Sequence, residues 1–223
     1  MQLLIIRHAQ SANNANMDAR VADPPLTELG QAQAARLSEA PGLFAGIDLL
    51  YVGPMRRTLQ TAAPLAEATS LSARVFTGLH EWGGIWEERD GAISHLPGLG
   101  RAEMSAIIPE VELPDDVLES GWWQGELDST RHDAILAHSR QNAESFLSYM
   151  AERYPQGTRV AVVTHGGYGS NLMEVALDID LHPERVRFLQ NNTGHALIEF
   201  DGEHGLMRWH NRIDHLPAEL VTV

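Results

Sequence analysis

The sequence predicts an α/β fold, a three-layer α/β/α sandwich around a mostly parallel central sheet. Two short apolar runs carry that expectation, Leu3-Leu4-Ile5-Ile6 and Val160-Ala161-Val162-Val163. Unbroken runs of this length suit strands buried on both faces beneath covering helices. Each run also stops abruptly at reactive side chains, Arg7-His8 after the first and Thr164-His165 after the second. In open α/β sheets ligands bind at the carboxyl ends of the strands, so these residues are expected to share one edge.

The elements follow in order. After Leu3–Ile6, residues 11–25 are rich in Asn, Asp and Pro and read as an irregular loop. Asn13 and Asn14 either lean over the site or satisfy turn hydrogen bonds there. Thr27 is placed to cap a helix carrying Leu29, Ala32, Arg36 and Leu37, ended by Pro41-Gly42. A second strand, Asp48–Val52, meets Gly53-Pro54, read as N-cap and first residue of a helix. Arg56 and Arg57 then fall in its first turn, where the helix dipole disfavours cations. A bound anion would remove that conflict; a plain pair of surface arginines is the alternative.

Ala73–Phe76 is a third strand leading to His80-Glu81. Residues 87–128 read as an irregular insertion with one helix near Arg101 to Ile108, lying over the active site of a single domain spanning 1–223. Trp82, Trp86, Trp122 and Trp123 either line a cleft there or act as packing anchors. Asp128-Ser129 are placed to cap a helix over about 130–153, with a stripe of Ile135, Leu136, Ala143, Phe146, Leu147 and Met150. Arg159–Val163 is the next strand, followed by a helix over Ser170–Leu177. His195–Phe200 and Gly205–Trp209 form a hairpin around Asp201-Gly202. The tail after Asn211 is expected to be peripheral.

Composition narrows the function. A formal net charge of −14 argues against nucleic acid and anionic membrane as partners. No apolar stretch reaches the length of a membrane span, and no signal peptide is evident. The chain has no cysteine, which removes thiolate metal sites and thiol nucleophiles. A cytoplasmic setting is expected. His132 and His138 lie about 240° apart around a helix and cannot share a metal. There is no phosphate-binding P-loop and no dinucleotide fingerprint. What remains is two His, several Arg and an acid, Glu81, at strand ends. Arg suits multidentate phosphate recognition. A neutral His between cations can attack phosphorus, and an acid must protonate the leaving alkoxide. Glu81, among apolar and Gly neighbours, reads either as a proton donor or as an ordinary surface acid. These residues favour metal-free phosphoryl transfer.

The chain resembles the histidine phosphatase superfamily, also called phosphoglycerate mutase-like, over most of its length. Arg7-His8-Ala9-Gln10-Ser11 is similar to the family's Arg-His-Gly-Glu-Thr/Ser, and Asn14 falls at its pocket Asn. Residues Pro25–Ala34 resemble Pro-Leu-Thr-x-x-Gly-x-x-Gln-Ala. Residues Gly53–Ala62 resemble Ser-Pro-Leu-x-Arg-Ala-x-Gln-Thr-Ala, which singles out Arg57 over Arg56. Leu79-His80-Glu81 resembles the proton-donor segment, Trp86-Glu87 its Trp-Glu, and Val163–Gly167 the second His motif.

The resemblance implies a phosphoglycerate mutase-like fold and hydrolysis of a small phosphomonoester. His8 would be the nucleophile. Arg7, Arg57, His165, Asn14 and Gly166 would hold the phosphoryl group, and Glu81 would serve as general acid. No metal or organic cofactor is implied. A mutase and a non-catalytic phosphate binder are the alternatives; Gly98–Glu103 partly resembles the mutase Gly-Leu-Asn-Lys-Ala-Glu. The natural substrate is open, and so is the oligomeric state, a homodimer included. Three departures stand out. Ala9 replaces Gly and would be strained at positive φ. Gln10 replaces Glu and removes a charge near the pocket. Gly53 replaces a Ser cap.

Overall fold

A computed structural model describes residues 1–40, 42–125, 131–179, 187–202 and 204–223. Strand β1 (Gln2–Arg7) is followed by a short helix, α1 (Ala12–Ala15), and by α2 (Glu28–Ser38). Next come β2 (Leu49–Val52), α3 (Arg56–Thr69) and β3 (Ala73–Val75). A small hairpin, β4 (Trp86–Arg89) with β5 (Ala92–His95), precedes α4 (Arg101–Ile107) and the long α5 (His132–Arg153). The chain then forms β6 (Arg159–Thr164), α6 (Gly166–Ala176), β7 (His195–Asp201) and β8 (His204–Arg212).

Six strands make one sheet in the order β3-β2-β6-β1-β7-β8. The first four run parallel and β7 returns antiparallel to β1. In register, Leu3 faces Val160 and Ile5 faces Val162 across the β1–β6 pair. Alternate residues therefore supply two cores. Leu4, Ile6, Leu50 and Val52 pack against Leu37 of α2, Leu59, Ala62 and Leu65 of α3, and Met104 of α4. Leu3, Ile5, Val160 and Val162 pack on the other face against Phe146 and Met150 of α5 and Leu172 and Met173 of α6. That is the expected three-layer sandwich, and it explains why the strand sequences show no polar alternation. Gly30 is required by this packing: a Cβ there would lie 2.0 Å from the Gln10 carbonyl oxygen, where α2 docks against the turn after β1.

Several expectations are corrected. Helix α3 starts at Arg56, with Met55 rather than Gly53 as N-cap. Gly53 is still sheet-like, its N–H donating to the Val163 carbonyl, and the Thr58 hydroxyl donates to the Gly53 and Met55 carbonyls. Helix α6 starts at Gly166, earlier than Ser170, because the Glu81 carboxylate accepts the Gly167 and Tyr168 N–H groups and offsets the poor helix propensity of glycine. Residues 86–95 are a hairpin, not irregular chain. Within the expected loop, Ser11 caps α1 in a reciprocal capping box with Asn14. The expected capping pair Asp128-Ser129 lies outside the described residues. Trp122 and Trp123 are packing anchors, buried in the first core.

The tail after Asn211 is not peripheral. Gln33, fully buried on α2, donates from Nε2 to the Leu220 carbonyl at 2.7 Å and to Thr222 Oγ1 at 2.8 Å. The Thr222 carbonyl in turn accepts from Asn192 N and Asn191 Nδ2.

Candidate active site

The parallel order β2-β6-β1 sets three strand ends side by side, and each delivers a functional group. Strand β1 ends in Arg7 and His8, β6 ends before His165, and β2 leads through Gly53 to Arg57. The His8 N–H continues the sheet to the Thr164 carbonyl at 2.8 Å, so both histidines leave the core at one level. Their rings meet edge-on with centroids 5.2 Å apart.

The hydrogen bonds of His8 fix its tautomer. Nδ1 lies 2.6 Å from the Ala9 carbonyl, which can only accept, so Nδ1 carries the proton. Nε2 then holds a lone pair, and Arg57 Nε donates to it at 3.2 Å. Burial, followed by the charges of Arg57 and Arg7, holds the His8 pKa well below the ordinary histidine value. The ring is neutral at neutral pH with its lone pair turned toward a cation. His165 is fully buried, and its pKa is likewise held low by burial and then Arg57. Among the described residues, neither ring nitrogen of His165 has a hydrogen-bond partner, nor does Arg7 Nε.

Arg57 is held from behind by Asp23, with Nη1 3.8 Å from Oδ1. Asp23 also accepts the Arg56 N–H at 3.1 Å, supplying the anion that the first turn of α3 calls for. Burial raises the Asp23 pKa against the opposing pull of Arg57. Arg7 donates through Nη1 to the Gln190 carbonyl. A Cβ on Gly166 would come within 3.2 Å of Arg7 Nε, so glycine there leaves the guanidinium its place.

Glu81 follows β3 and crosses to the start of α6. Its Oε1 accepts from Trp82 N and Tyr168 N, its Oε2 from Gly167 N. His80 beside it is buried and faces away. Its Nδ1 donates to the Glu81 carbonyl at 2.7 Å, and its Nε2 accepts from Asn142 Nδ2 at 3.1 Å. Burial lowers the His80 pKa to about 4. Asn14 Oδ1 is committed to Ser11 N and Oγ, which leaves its amide N–H groups for a ligand.

Some of these groups line a cleft with two lobes; His165, His80 and Asp23 line neither, His165 being fully buried behind it. The inner lobe, about 330 Å³, takes in Arg7, His8, Asn14, Arg57, Glu81 and Gly166. The outer lobe, about 510 Å³, is walled by Met55, Trp82 and Trp86. Asn13, Arg20, Arg57 and Glu81 border both. Trp82 and Trp86 thus reach the cleft, whereas Trp122 and Trp123 do not. Arg56 and Arg101 line neither lobe; Arg101 donates to the Pro114 and Val117 carbonyls. Among the described residues, no group of three or more His, Asp or Glu side chains could hold a metal ion. No helix among them is long and apolar enough to cross a membrane.

The departures at positions 9, 10 and 53 prove benign in geometry. Ala9 is not at positive φ, and its N–H donates to Thr61 Oγ1 at 3.0 Å. The Gln10 side chain turns to Thr27, accepting from Oγ1 at 2.7 Å. Gly53 caps nothing, and a Cβ on it would sit 2.8 Å from the Leu79 carbonyl oxygen.

Residues that sequence reasoning did not single out are Asp23, Gln190, Asn192 and Arg20. Asn192 donates to the His8 carbonyl at 3.1 Å from far along the chain. A buried Asp opposite a helix-start Arg pair is the one signal that could have been sought, through the dipole conflict at Arg56-Arg57.

Comparison with known proteins places the chain in a family. The family model "Histidine phosphatase superfamily (branch 1)" matches residues 3–106 and 109–213. Among solved structures, Bacillus stearothermophilus YhfR superposes with a TM-score of 0.67 at 20% identity, covering 96% of this chain and 98% of that one. An Entamoeba histolytica phosphoserine phosphatase gives 0.62 at 19% identity, over 97% and 99% of the two chains. A mycobacterial glucosyl-3-phosphoglycerate phosphatase gives 0.61 at 22% identity, over 95% and 99%. A curated relative, the PE-PGRS family protein PE_PGRS11 of Mycobacterium tuberculosis, is 42% identical over 89 residues, which are 37% of this chain and 15% of that protein. The chain therefore spans only a small part of that relative's length. The family match covers both His-bearing strand ends, the α2 helix and the Arg57 helix, and the chain belongs to the histidine phosphatase superfamily.

Proposed function

We propose that the protein is a metal-independent phosphatase that hydrolyses a small phosphomonoester through a phosphohistidine on His8. One observation carries this: a buried neutral imidazole whose Nδ1–H is tied to the Ala9 carbonyl and whose Nε2 lone pair faces Arg57 in a pocket it shares with Arg7. Nε2 attacks phosphorus, the N–P bond forms, and the P–O bond to the alcohol breaks. Arg7, Arg57, His165, Asn14 and the Gly166 N–H hold the phosphoryl oxygens as charge builds on them. Glu81, at the border of both lobes, gives its proton to the leaving oxygen. It then takes one from the water that attacks the phosphohistidine and restores His8. The phosphatase names among the structural relatives support this reading.

The segment that partly resembles a mutase supports hydrolysis over transfer, because Arg101 is spent on backbone carbonyls away from the cleft. The test is phosphate release from p-nitrophenyl phosphate in excess chelator, wild type beside His8→Ala. Activity that survives chelator and is lost in the variant is the expected result. Activity lost to chelator overturns the mechanism, and with a phosphoglycerate as substrate an isomerised ester without free phosphate would identify a mutase.

A further inference from the structure

The two lobes of the cleft differ in charge and in lining. The inner lobe carries Arg7, Arg20, Arg57 and Arg187 against the side-chain carboxylate of Glu81. A dianionic phosphoryl group belongs there. The outer lobe is balanced: Arg20, Arg57 and Arg89 against Glu81, Glu87 and Glu88. Arg57 is already engaged by His8 and Asp23, and Arg89 by Glu87 at 3.1 Å. With Glu81 protonated as the general acid, the outer lobe is left with Arg20 against Glu88 and no cation in excess to hold a second anion.

Its lining is mixed, with Asn13 and the charged side chains facing an apolar set. Trp82 and Trp86 contribute two indoles, and Met55, Val21 and Ala22 fill in between. The Arg20 guanidinium lies 5.4 Å over the Trp86 ring, a cation–π contact that sets N–H donors above that part of the indole. The volume, about 510 Å³, is by itself within the range of small-molecule sites, and exceeds that of the lobe assigned to the phosphoryl group. Glu81 stands at the seam, where the bridging oxygen of a bound ester must lie if the acid is to protonate it.

We propose that the outer lobe receives the alcohol half of the substrate, and that this alcohol is uncharged and ring-bearing, packed against Trp86. The inference rests on the hydrolytic reading above and narrows it. Indole faces reward the flat hydrophobic surface of a ring. Glu88 and Arg20 can serve hydroxyls at its rim. A three-carbon hydroxy acid would leave the indoles uncovered and bring its carboxylate toward Glu87 and Glu88.

The experiment is kcat/KM for phosphate release from four esters of aliphatic alcohols, so that leaving-group basicity differs little. Benzyl phosphate and glucose 6-phosphate represent rings; phosphoserine and 3-phosphoglycerate represent small acids. Wild type is expected to favour at least one ring ester over both acids by about tenfold or more. Trp86→Ala is expected to lower the ring-to-acid ratio about tenfold, and Trp86→Phe to restore most of it. Glu88→Arg, an exposed position that does not bear on folding, is expected to move the ratio at least fivefold toward the acids. A wild type that prefers the acids, or a ratio unmoved by both Trp86→Ala and Glu88→Arg, overturns the inference while leaving hydrolysis intact. No phosphate from any ester, nor from p-nitrophenyl phosphate, overturns the hydrolytic reading and this inference with it.

Discussion

At the scale of single residues, His8 shows how little freedom the site allows. Its proton is fixed on Nδ1 by the Ala9 carbonyl, and its lone pair is fixed toward Arg57 Nε. Lysine at position 57 keeps the charge but loses the Nε donor and the planar fork. Arg57→Lys is therefore expected to lower kcat/KM by about 10²–10³-fold, the cost of one preorganised transition-state donor. A loss under about fivefold, measured on p-nitrophenyl phosphate, would show that charge alone suffices. His80 acts through its neighbour: it holds the Glu81 carbonyl from one side and takes the Asn142 amide on the other. His80→Leu is expected to slow alkyl phosphates more than ten times as much as p-nitrophenyl phosphate, whose good leaving group needs little protonation. His80→Asn, which keeps a donor near the Nδ1 position, is expected to recover part of the difference. Equal losses on both substrates would mean that His80 only supports the fold.

At the scale of elements, the sheet centre was legible because burial on both faces leaves a mark in the sequence. The runs in β1 and β6 have no polar member between their first and last residues. The β4–β5 hairpin was illegible for the opposite reason. It is largely exposed, with neither an apolar run nor a clean alternation to announce it. The candidate site was legible where its residues sit at or just beyond a strand end, as with Arg7, His8, Arg57 and His165. It was illegible where support comes from distant polar contacts. Gln33 links the Gln10 N–H to Leu220 and Thr222, a connection across the whole chain with no local signature. Gln33→Leu strands those buried groups, and is expected to cost roughly 2–4 kcal/mol of stability. A urea midpoint at unchanged m-value measures it; a change below about 0.5 kcal/mol would show the tail clasp to be incidental.

At the scale of the whole molecule, buried histidines set the response to acid. His80 and His195 are pushed to about 4, chiefly by burial, and His8 and His165 are also held well below 6.5. With folded pKa values below the unfolded one, the unfolded chain takes up protons first as pH falls. Stability is full above about pH 6.5 and declines as pH drops from there toward 4, by on the order of 2 kcal/mol at pH 5 for each of His80 and His195. Thermal unfolding should show Tm falling already between pH 6.5 and 5, where carboxylates are still ionised; a flat Tm across that window would contradict it. The same buried, neutral His8 is the centre of the functional account. The most direct measurement is the intact mass of the protein, quenched in alkali within milliseconds of mixing with p-nitrophenyl phosphate and compared with His8→Ala. The result expected is a fraction of wild type heavier by one phosphoryl group, acid-labile and mapping to His8, with none in the variant. Turnover without any such adduct, or the same adduct in His8→Ala, would contradict phosphoryl transfer through His8.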